Sequence, residues 1–204
     1  MTAIEVSVII TTRNEERNIT ECLNSIGKQS YPRDKIEVIV VDNASEDKTK
    51  EIAFKYTDKV FNFGPERSAQ RNFGVRQAGG KYILYLDADM ILSESVISEA
   101  VQKCEKKSCT ALYIPERIIG EGFWIKVRDF ERGFYTATCI DAVRFVRKDK
   151  FQEIGGFDET LTGPEDWDFD RKVSKQGKVD NITAPIYHNE GKFSFSKYFT
   201  KKHY

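Results

Sequence analysis

The chain opens with short, unbroken apolar runs. They alternate with segments whose apolar residues recur every three or four positions. EVSVIITT (5–12) is a β-branched run of strand length. EERNITECLNSIGKQS (15–30) carries Ile19, Cys22, Leu23 and Ile26 at helical spacing. KIEVIVVDN (35–43) is a second apolar strand, and SEDKTKEIAFKY (45–56) reads as a helix with a serine cap and an acidic first turn. DKVFNF (58–63) predicts a short strand, and ERSAQRNFGVRQAGG (66–80) a helix stopped by two glycines. KYILYLDAD (81–89) is the fourth strand. Strands that are apolar at every position are buried on both faces, which predicts a parallel sheet flanked by helices.

The second half is less regular. SESVISEAVQKCEKK (93–107) predicts a helix and CTALYIPE (109–116) a strand. GEGFWIKVRDFERGFYTAT (120–138) reads as helical after its glycines. Its aromatics Phe123, Trp124, Phe130, Phe134 and Tyr135 are expected mainly in the core, with some open to an acceptor groove, and Arg128, Asp129, Glu131 and Arg132 on a solvated face. IDAVRFVRKDKF (140–151) begins as a strand. GPEDWDFDRKVSKQG (163–177) predicts a helix with Pro164 in its first turn and Gly177 at its end. KVDNITAPIYHNEG (178–191) reads as paired strands. The tail from Lys192 to Tyr204 interleaves lysines with aromatics. That composition suits an interfacial helix on anionic lipid, or equally a final helix packed on the domain.

Composition narrows the class. At 204 residues the chain is long enough for one domain with a real core. Acids and bases balance at 32 each, so no basic field points to nucleic acid. No apolar run approaches the ~20 residues of a membrane span. MTAIEVSVII has neither the basic flank nor the cleavage site of a signal peptide, so a cytoplasmic location is expected. Cys22, Cys104, Cys109 and Cys139 form no CxxC pair, which favours isolated thiols in a reducing compartment over a metal cluster or disulfide frame.

Parallel sheets bind ligands beyond the carboxyl ends of their strands. Thr11, Thr12, Arg13, Asn14 and Glu15 follow the first strand, Asp42, Asn43 and Ser45 the second, and Asp87 and Asp89 the fourth. If the strand alternation persists, Asp87 and Asp89 share one side. Two carboxylates that close repel unless a cation or hydrogen-bond donors offset the charge. Mg²⁺ or Mn²⁺, held by one or two carboxylates plus substrate phosphates, would do so. A solvated loop with a helix-capping aspartate is the alternative. Glu165 and Asp166 follow Pro164 at a helix start, where the helix dipole favours acids whatever their role. Arg67 and Arg71 lie four apart on one helical face, as ordinary exposed arginines also do.

The segments SVIITTRNEE, VIVVDNASEDKT, RNFGVRQAGGKYILYLDAD and GGFDE…GPEDWDF, in that order, resemble the family 2 inverting glycosyltransferases of the GT-A fold. The resemblance runs from residue 4 to about 190. It implies an α/β fold with a mixed, mostly parallel sheet flanked by helices. A Rossmann-like nucleotide-sugar half would occupy about 4–90, an acceptor and catalytic half about 91–190, and a basic-aromatic tail 192–204. It implies donor contacts from Thr11, Arg13, Glu15, Asp42, Arg71 and Asp87. Asp89 would bind Mg²⁺ or Mn²⁺, with His188 helping to hold metal or phosphates, and Arg171 a further candidate at the diphosphate. Asp166 would be the catalytic base, with Glu165 beside it. The donor would be a UDP- or GDP-sugar and the acceptor a glycan end or polyprenyl phosphate. The tail would offer peripheral contact at the inner face of a membrane. Three rivals share single features. A phosphatase of the haloacid-dehalogenase type places its paired aspartates after the first strand. A sugar nucleotidyltransferase carries a glycine-rich basic signature where this chain has TTRNEE. A non-catalytic sugar-nucleotide binder would tolerate loss of Asp166.

Overall fold

The computed structural model describes residues 3–135 and 142–192. The order of elements begins with β1 (Val6–Thr12), α1 (Ile19–Gly27), a 3-10 turn (Arg33–Lys35), β2 (Ile36–Asp42), α2 (Thr49–Ala53), β3 (Val60–Asn62), α3 (Arg67–Gln77) and β4 (Tyr82–Asp87). β5 (Met90–Leu92), α4 (Val96–Lys107), β6 (Ala111–Tyr113), β7 (Glu116–Glu121) and α5 (Phe123–Arg132) follow. β8 (Val143–Arg147), α6 (Lys148–Glu153), α7 (Glu165–Ser174), β9 (Val179–Asn181) and β10 (Ile186–Lys192) complete the described chain.

A 7-stranded sheet runs β3-β2-β1-β4-β8-β6-β9. β3, β2, β1 and β4 are mutually parallel, β8 is antiparallel to β4 and β6, and β9 is parallel to β6. The sheet is thus mixed and mostly parallel. β1 and β2 are buried at every position. One face of β1 packs Val6, Val8 and Ile10 with Ile19, Cys22, Leu23 and Ile26 of α1. On the other face Ile9 packs with Val75 of α3 and with Tyr85. Burial on both faces is why these strands carry no polar alternation.

Several expected elements are shorter than their patterns. Asn14 takes a left-handed backbone (φ 55°), so α1 begins only at Ile19. Ser45 does not cap a helix; its hydroxyl and N–H both donate to Asp42, and Asp47 instead accepts the Thr49 N–H. Residues 178–191 are not a hairpin. β9 joins the large sheet, whereas β10 joins a 3-stranded sheet of order β5-β10-β7. Pro185 has no N–H for a ladder, and the buried Ile182 and Ala184 anchor the crossing between sheets.

The α5 helix reverses its expected orientation. Phe123 and Phe130 of the helix, and Phe134 in the turn after it, are 70%, 72% and 70% exposed, and Trp124 and Val127 are exposed as well; Ile125 is the buried member of the helix. Of the face read as solvated, Glu131 stays exposed, whereas Arg128, Asp129 and Arg132 turn toward the protein. Asp129 accepts from Arg117 and from the Ile118 N–H, Arg132 donates to Glu116 at 2.8 Å, and Arg128 pairs with Glu190 at 2.8 Å. The underlying β7 and β10 present Glu116, Arg117 and Glu190, so ion pairing decides which face of α5 packs down. The tail beyond Lys192, Cys139 and residues 136–141 lie outside the described residues.

Candidate active site

Strand order reverses beside β1: β2 and β3 lie on one side of it and β4 on the other. In open α/β sheets such a reversal leaves a crevice at the carboxyl ends of the strands. A cleft of about 320 Å³ opens there, lined among others by Thr11, Arg13, Glu15, Asn43, Arg67, Asp87, Asp89 and His188. It collects polar groups from the ends of β1, β2 and β4, the start of α3, and β10.

Asp87 ends β4, so the strand alternation does not carry through to Asp89. The two aspartates reach the same cleft but keep different company. Thr11 Oγ1 donates to Asp87 Oδ1 at 3.0 Å, and Arg71 Nη2 lies 3.4 Å from the same oxygen. Arg144 Nη1 and Arg67 Nη1 lie 3.6 and 3.9 Å from Asp87 Oδ2. Burial alone would raise this carboxyl's pKa; Arg71, Arg144 and Arg67 hold it well below the usual carboxylate range. The charge at Asp87 is therefore offset by protein alone.

Arg71 is 1% exposed. Its Nη1 donates to Asp166 Oδ1 at 2.7 Å, and its guanidinium lies over the rings of Tyr85 and Phe157. It is a strut between Asp87 and Asp166, placed behind the cleft wall. Arg67 Nη2 donates to Glu165 Oε1 at 3.2 Å. Two arginines one helical turn apart on α3 thus fix the two acids at the start of α7, about ninety-five positions later. Glu165 is buried, whereas the Asp166 side chain keeps 23% exposure. α3 can turn this polar face inward because Gln70 Nε2 donates to the carbonyls of Thr12 and Val41, satisfying the ends of β1 and β2.

Asp89 faces the other way. His188 Nε2 lies 3.0 Å from Asp89 Oδ2. The small sheet sets this pair: β10 runs antiparallel to β5 with His188 opposite Met90, and the Asn189 N–H donates to the Asp89 carbonyl. Burial alone would lower the imidazole pKa, but Asp89, Glu116 and Asp87 raise it above the ordinary histidine value. Asp89 Oδ1 is buried with no hydrogen-bond partner. A buried acceptor left that way is costly unless a ligand satisfies it. Mg²⁺ or Mn²⁺ takes one or two protein carboxylates and fills its remaining positions with phosphate oxygens and water. Asp89 with His188 fits that demand. Among the described residues no group of three or more such side chains forms a self-contained metal cage.

The remaining predicted residues divide. Arg13 and Glu15 line the cleft. Burial raises the Glu15 pKa, Asn18 opposes this by donating to Oε2 at 2.7 Å, and Asp89, Asp47 and Asp87 push it up further. Asp42 is fully buried one layer below, accepting from Ser45, while its neighbour Asn43 lines the cleft. Arg171 points outward and pairs with Asp168 at 2.9 Å. The sequence reading missed Arg144 and Glu116. Arg144 is buried on β8, donates through Nη2 to Glu116 Oε1 at 2.9 Å and faces Asp87. Its signal was a charge inside the apolar run AVRFV; Glu116 has none.

Fold and site together define an α/β domain with a polar cleft of mixed charge at the carboxyl ends of its parallel strands, where strand order reverses. The chain belongs to glycosyl transferase family 2, whose sequence pattern matches residues 7–161. It is 33% identical over 120 residues to the poly(ribitol-phosphate) β-N-acetylglucosaminyltransferase TarS of Staphylococcus aureus, covering 54% of this chain and 21% of that protein. It is 44% identical over 91 residues to the glycosyltransferase AglE of Haloferax volcanii, covering 41% of this chain and 30% of that one. The chain thus spans less than a third of the length of either relative. The crystal structure of TarS residues 1–349 with UDP-GlcNAc superposes with a TM-score of 0.76 at 26% identity, over 95% of this chain and 61% of that one. The fold is also shared with a mannosyltransferase from Pyrobaculum calidifontis, solved with GDP-Man and Mn²⁺, at a TM-score of 0.70 and 24% identity over 93% of this chain and 57% of that one.

Proposed function

We propose that this protein transfers a sugar, with inversion, from a nucleotide-diphospho-sugar to an acceptor, using a divalent cation. The observation that carries the reading is the division of labour between the two aspartates. Asp87 is neutralised by arginines, whereas Asp89 keeps a buried, unpartnered oxygen beside His188. Family membership and the UDP-GlcNAc complex of TarS support a uridine donor; a guanosine donor is the alternative arm of the test.

In this reading Thr11, Arg13 and Asn43 meet the nucleoside at the ends of β1 and β2. Asp89 and His188 would hold the cation, which would supply Lewis-acid stabilisation to a leaving diphosphate. Arg67, exposed in the cleft, adds positive charge from the protein. Asp166 takes the proton from the acceptor hydroxyl as that oxygen attacks the anomeric carbon and the bond to the diphosphate breaks. Arg71 grips Asp166 Oδ1 and so fixes the orientation of the base.

Calorimetric titration of UDP and GDP, with Mn²⁺ and with EDTA, tests the donor site on wild type and Asp89→Ala. Metal-dependent binding of one nucleotide, lost in Asp89→Ala, is expected. Binding of neither nucleotide by folded protein would sink the proposal. Asp166→Asn should keep nucleotide affinity while slowing transfer to a hydroxyl acceptor by about 10²–10⁴-fold. Unchanged transfer in that variant would point to a phosphate acceptor, which needs no base.

A further inference from the structure

The small sheet sets an acid, an imidazole and a second acid in a row. Its strand order is β5-β10-β7. Asp89 lies one residue before β5, His188 lies on the central strand β10, and Glu116 opens β7. β10 pairs Ile186 with Glu116 and His188 with Ile118, so His188 and Glu116 share one face of neighbouring strands. The ring is held between two carboxylates. Its Nε2 lies 3.0 Å from Asp89 Oδ2, and its Nδ1 lies 4.0 Å from Glu116 Oε2.

The two carboxylates have different tasks. Asp89 lines the cleft and keeps a buried, unpartnered oxygen. Glu116 is buried, and guanidinium groups from two elements grip it. Arg144 of β8 donates to Oε1 through Nε at 3.2 Å and Nη2 at 2.9 Å, and Arg132 of α5 donates to Oε2 at 2.8 Å. With both oxygens engaged, Glu116 is not placed as a cation ligand. Beyond its arginines, what it faces is the imidazole.

We propose that Glu116 is a positioning residue for His188: it faces the Nδ1 edge of the ring and so turns the Nε2 lone pair toward the cation beside Asp89. The inference rests on the cation reading above and adds to it a residue behind the cleft. Its reason is the chemistry of the ring. A neutral imidazole has one N–H, and a ring that offers Nε2 as a lone pair carries its proton on Nδ1. A carboxylate or carbonyl opposite that N–H ordinarily fixes the tautomer and orientation of a metal-ligating histidine. Asp89 alone would favour the other tautomer, since at 3.0 Å it accepts well from an Nε2–H. Glu116 is the counterweight. At 4.0 Å its pull is electrostatic rather than a hydrogen bond, and it favours the form with the proton on Nδ1. Arg144 ties this support to the rest of the site, because its Nη1 lies 3.6 Å from Asp87 Oδ2.

Mn²⁺ titration without nucleotide, followed by electron paramagnetic resonance of the free ion, tests the proposal on wild type, Glu116→Gln, His188→Gln and the double variant. Glu116→Gln should weaken Mn²⁺ binding by about 10–100-fold. In the His188→Gln background the same change should cost less than about twofold, because its effect passes through the ring. Glu116→Asp keeps a charge for both arginines and withdraws it from the ring by one methylene, so it should fold and still weaken Mn²⁺ binding. Ring-nitrogen NMR resonances of His188, assigned by their loss in His188→Gln, should place the proton on Nδ1 in the Mg²⁺-loaded wild type. They should move toward a tautomer mixture in Glu116→Asp at unchanged melting temperature. Equal Mn²⁺ affinity in wild type and the Glu116 variants, or equal losses in the two backgrounds, overturns the inference and leaves the cation reading standing. A proton on Nε2 in the Mg²⁺-loaded wild type overturns it as well. Failure of folded wild type to bind Mn²⁺ removes the cation reading and this inference with it.

Discussion

Arg71 shows how one side chain organises this site. Its two terminal nitrogens address acids from different elements, Asp87 at the end of β4 and Asp166 on α7. Burial would lower the guanidinium pKa, but Asp166 and Asp87 raise it, so the charge persists in the interior. Replacing it with methionine would keep much of the volume and leave two carboxylates without their shared cation. Arg71→Met is expected to lose about 3 kcal/mol of stability, measured by urea unfolding. Lysine should not rescue it, because a single ammonium cannot bridge two acids at these separate angles. The arginine was visible in the sequence as a polar residue on a helix; its partners were not. Asp166 lies ninety-five positions away, and only packing of α7 against α3 and β8 brings it there. Thr11, Asp87 and Asp89 were legible for a simpler reason. They follow apolar strands directly, and a strand end fixes where its next residues must be.

At the scale of elements, α3 against β1 holds the cleft wall. Gly74 lies in the helix interior, where alanine is ordinarily better by about 1 kcal/mol. Here a Cβ would lie 2.5 Å from Ile9 Cγ2 in the core. The clash outweighs the propensity gain, so Gly74→Ala is expected to destabilise by about 1–3 kcal/mol. Thermal unfolding checks the sign, and a stabilised variant would refute the packing argument. The start of α7 behaves differently. Its acids do not merely complement the helix dipole; Arg67 and Arg71 hold them in defined positions. α5 carries the opposite lesson. Its periodicity was plain in the sequence, but a periodic helix has two faces, and the pattern alone does not say which one meets the protein.

Across the whole molecule, the Glu37 network and the candidate cleft sit at opposite ends of the parallel strands. Glu37 lies near the start of β2 and accepts from Ser7 of β1, from the Gly79 N–H before β4, and from Lys59 before β3. Burial alone would raise its pKa, but Lys59, Ser7 and Gly79 together lower it below the ordinary glutamate value. A depressed carboxyl contributes stability above its unfolded pKa, and that contribution fades as pH falls through the folded value. Glu37→Gln should therefore lower stability near about pH 7 and flatten its decline toward about pH 3. Nucleotide affinity should stay unchanged, because the cleft lies at the far end of the strands; urea melts across pH and one titration measure both. The sequence by itself determined the alternating strands and helices of the first half, the double-sided burial of β1 and β2, and the polar rim at which the cleft opens. Those features follow from the period and apolar content of contiguous residues. Tertiary structure alone decided the rest: the splitting of β9 and β10 between sheets, the Asp89–His188 pair, the Arg144–Glu116 support, and the outward aromatic face of α5. The splitting turns on Pro185 and the burial of Ile182 and Ala184; the other three depend on which charged groups meet across distant segments, and contiguous sequence carries no record of that meeting.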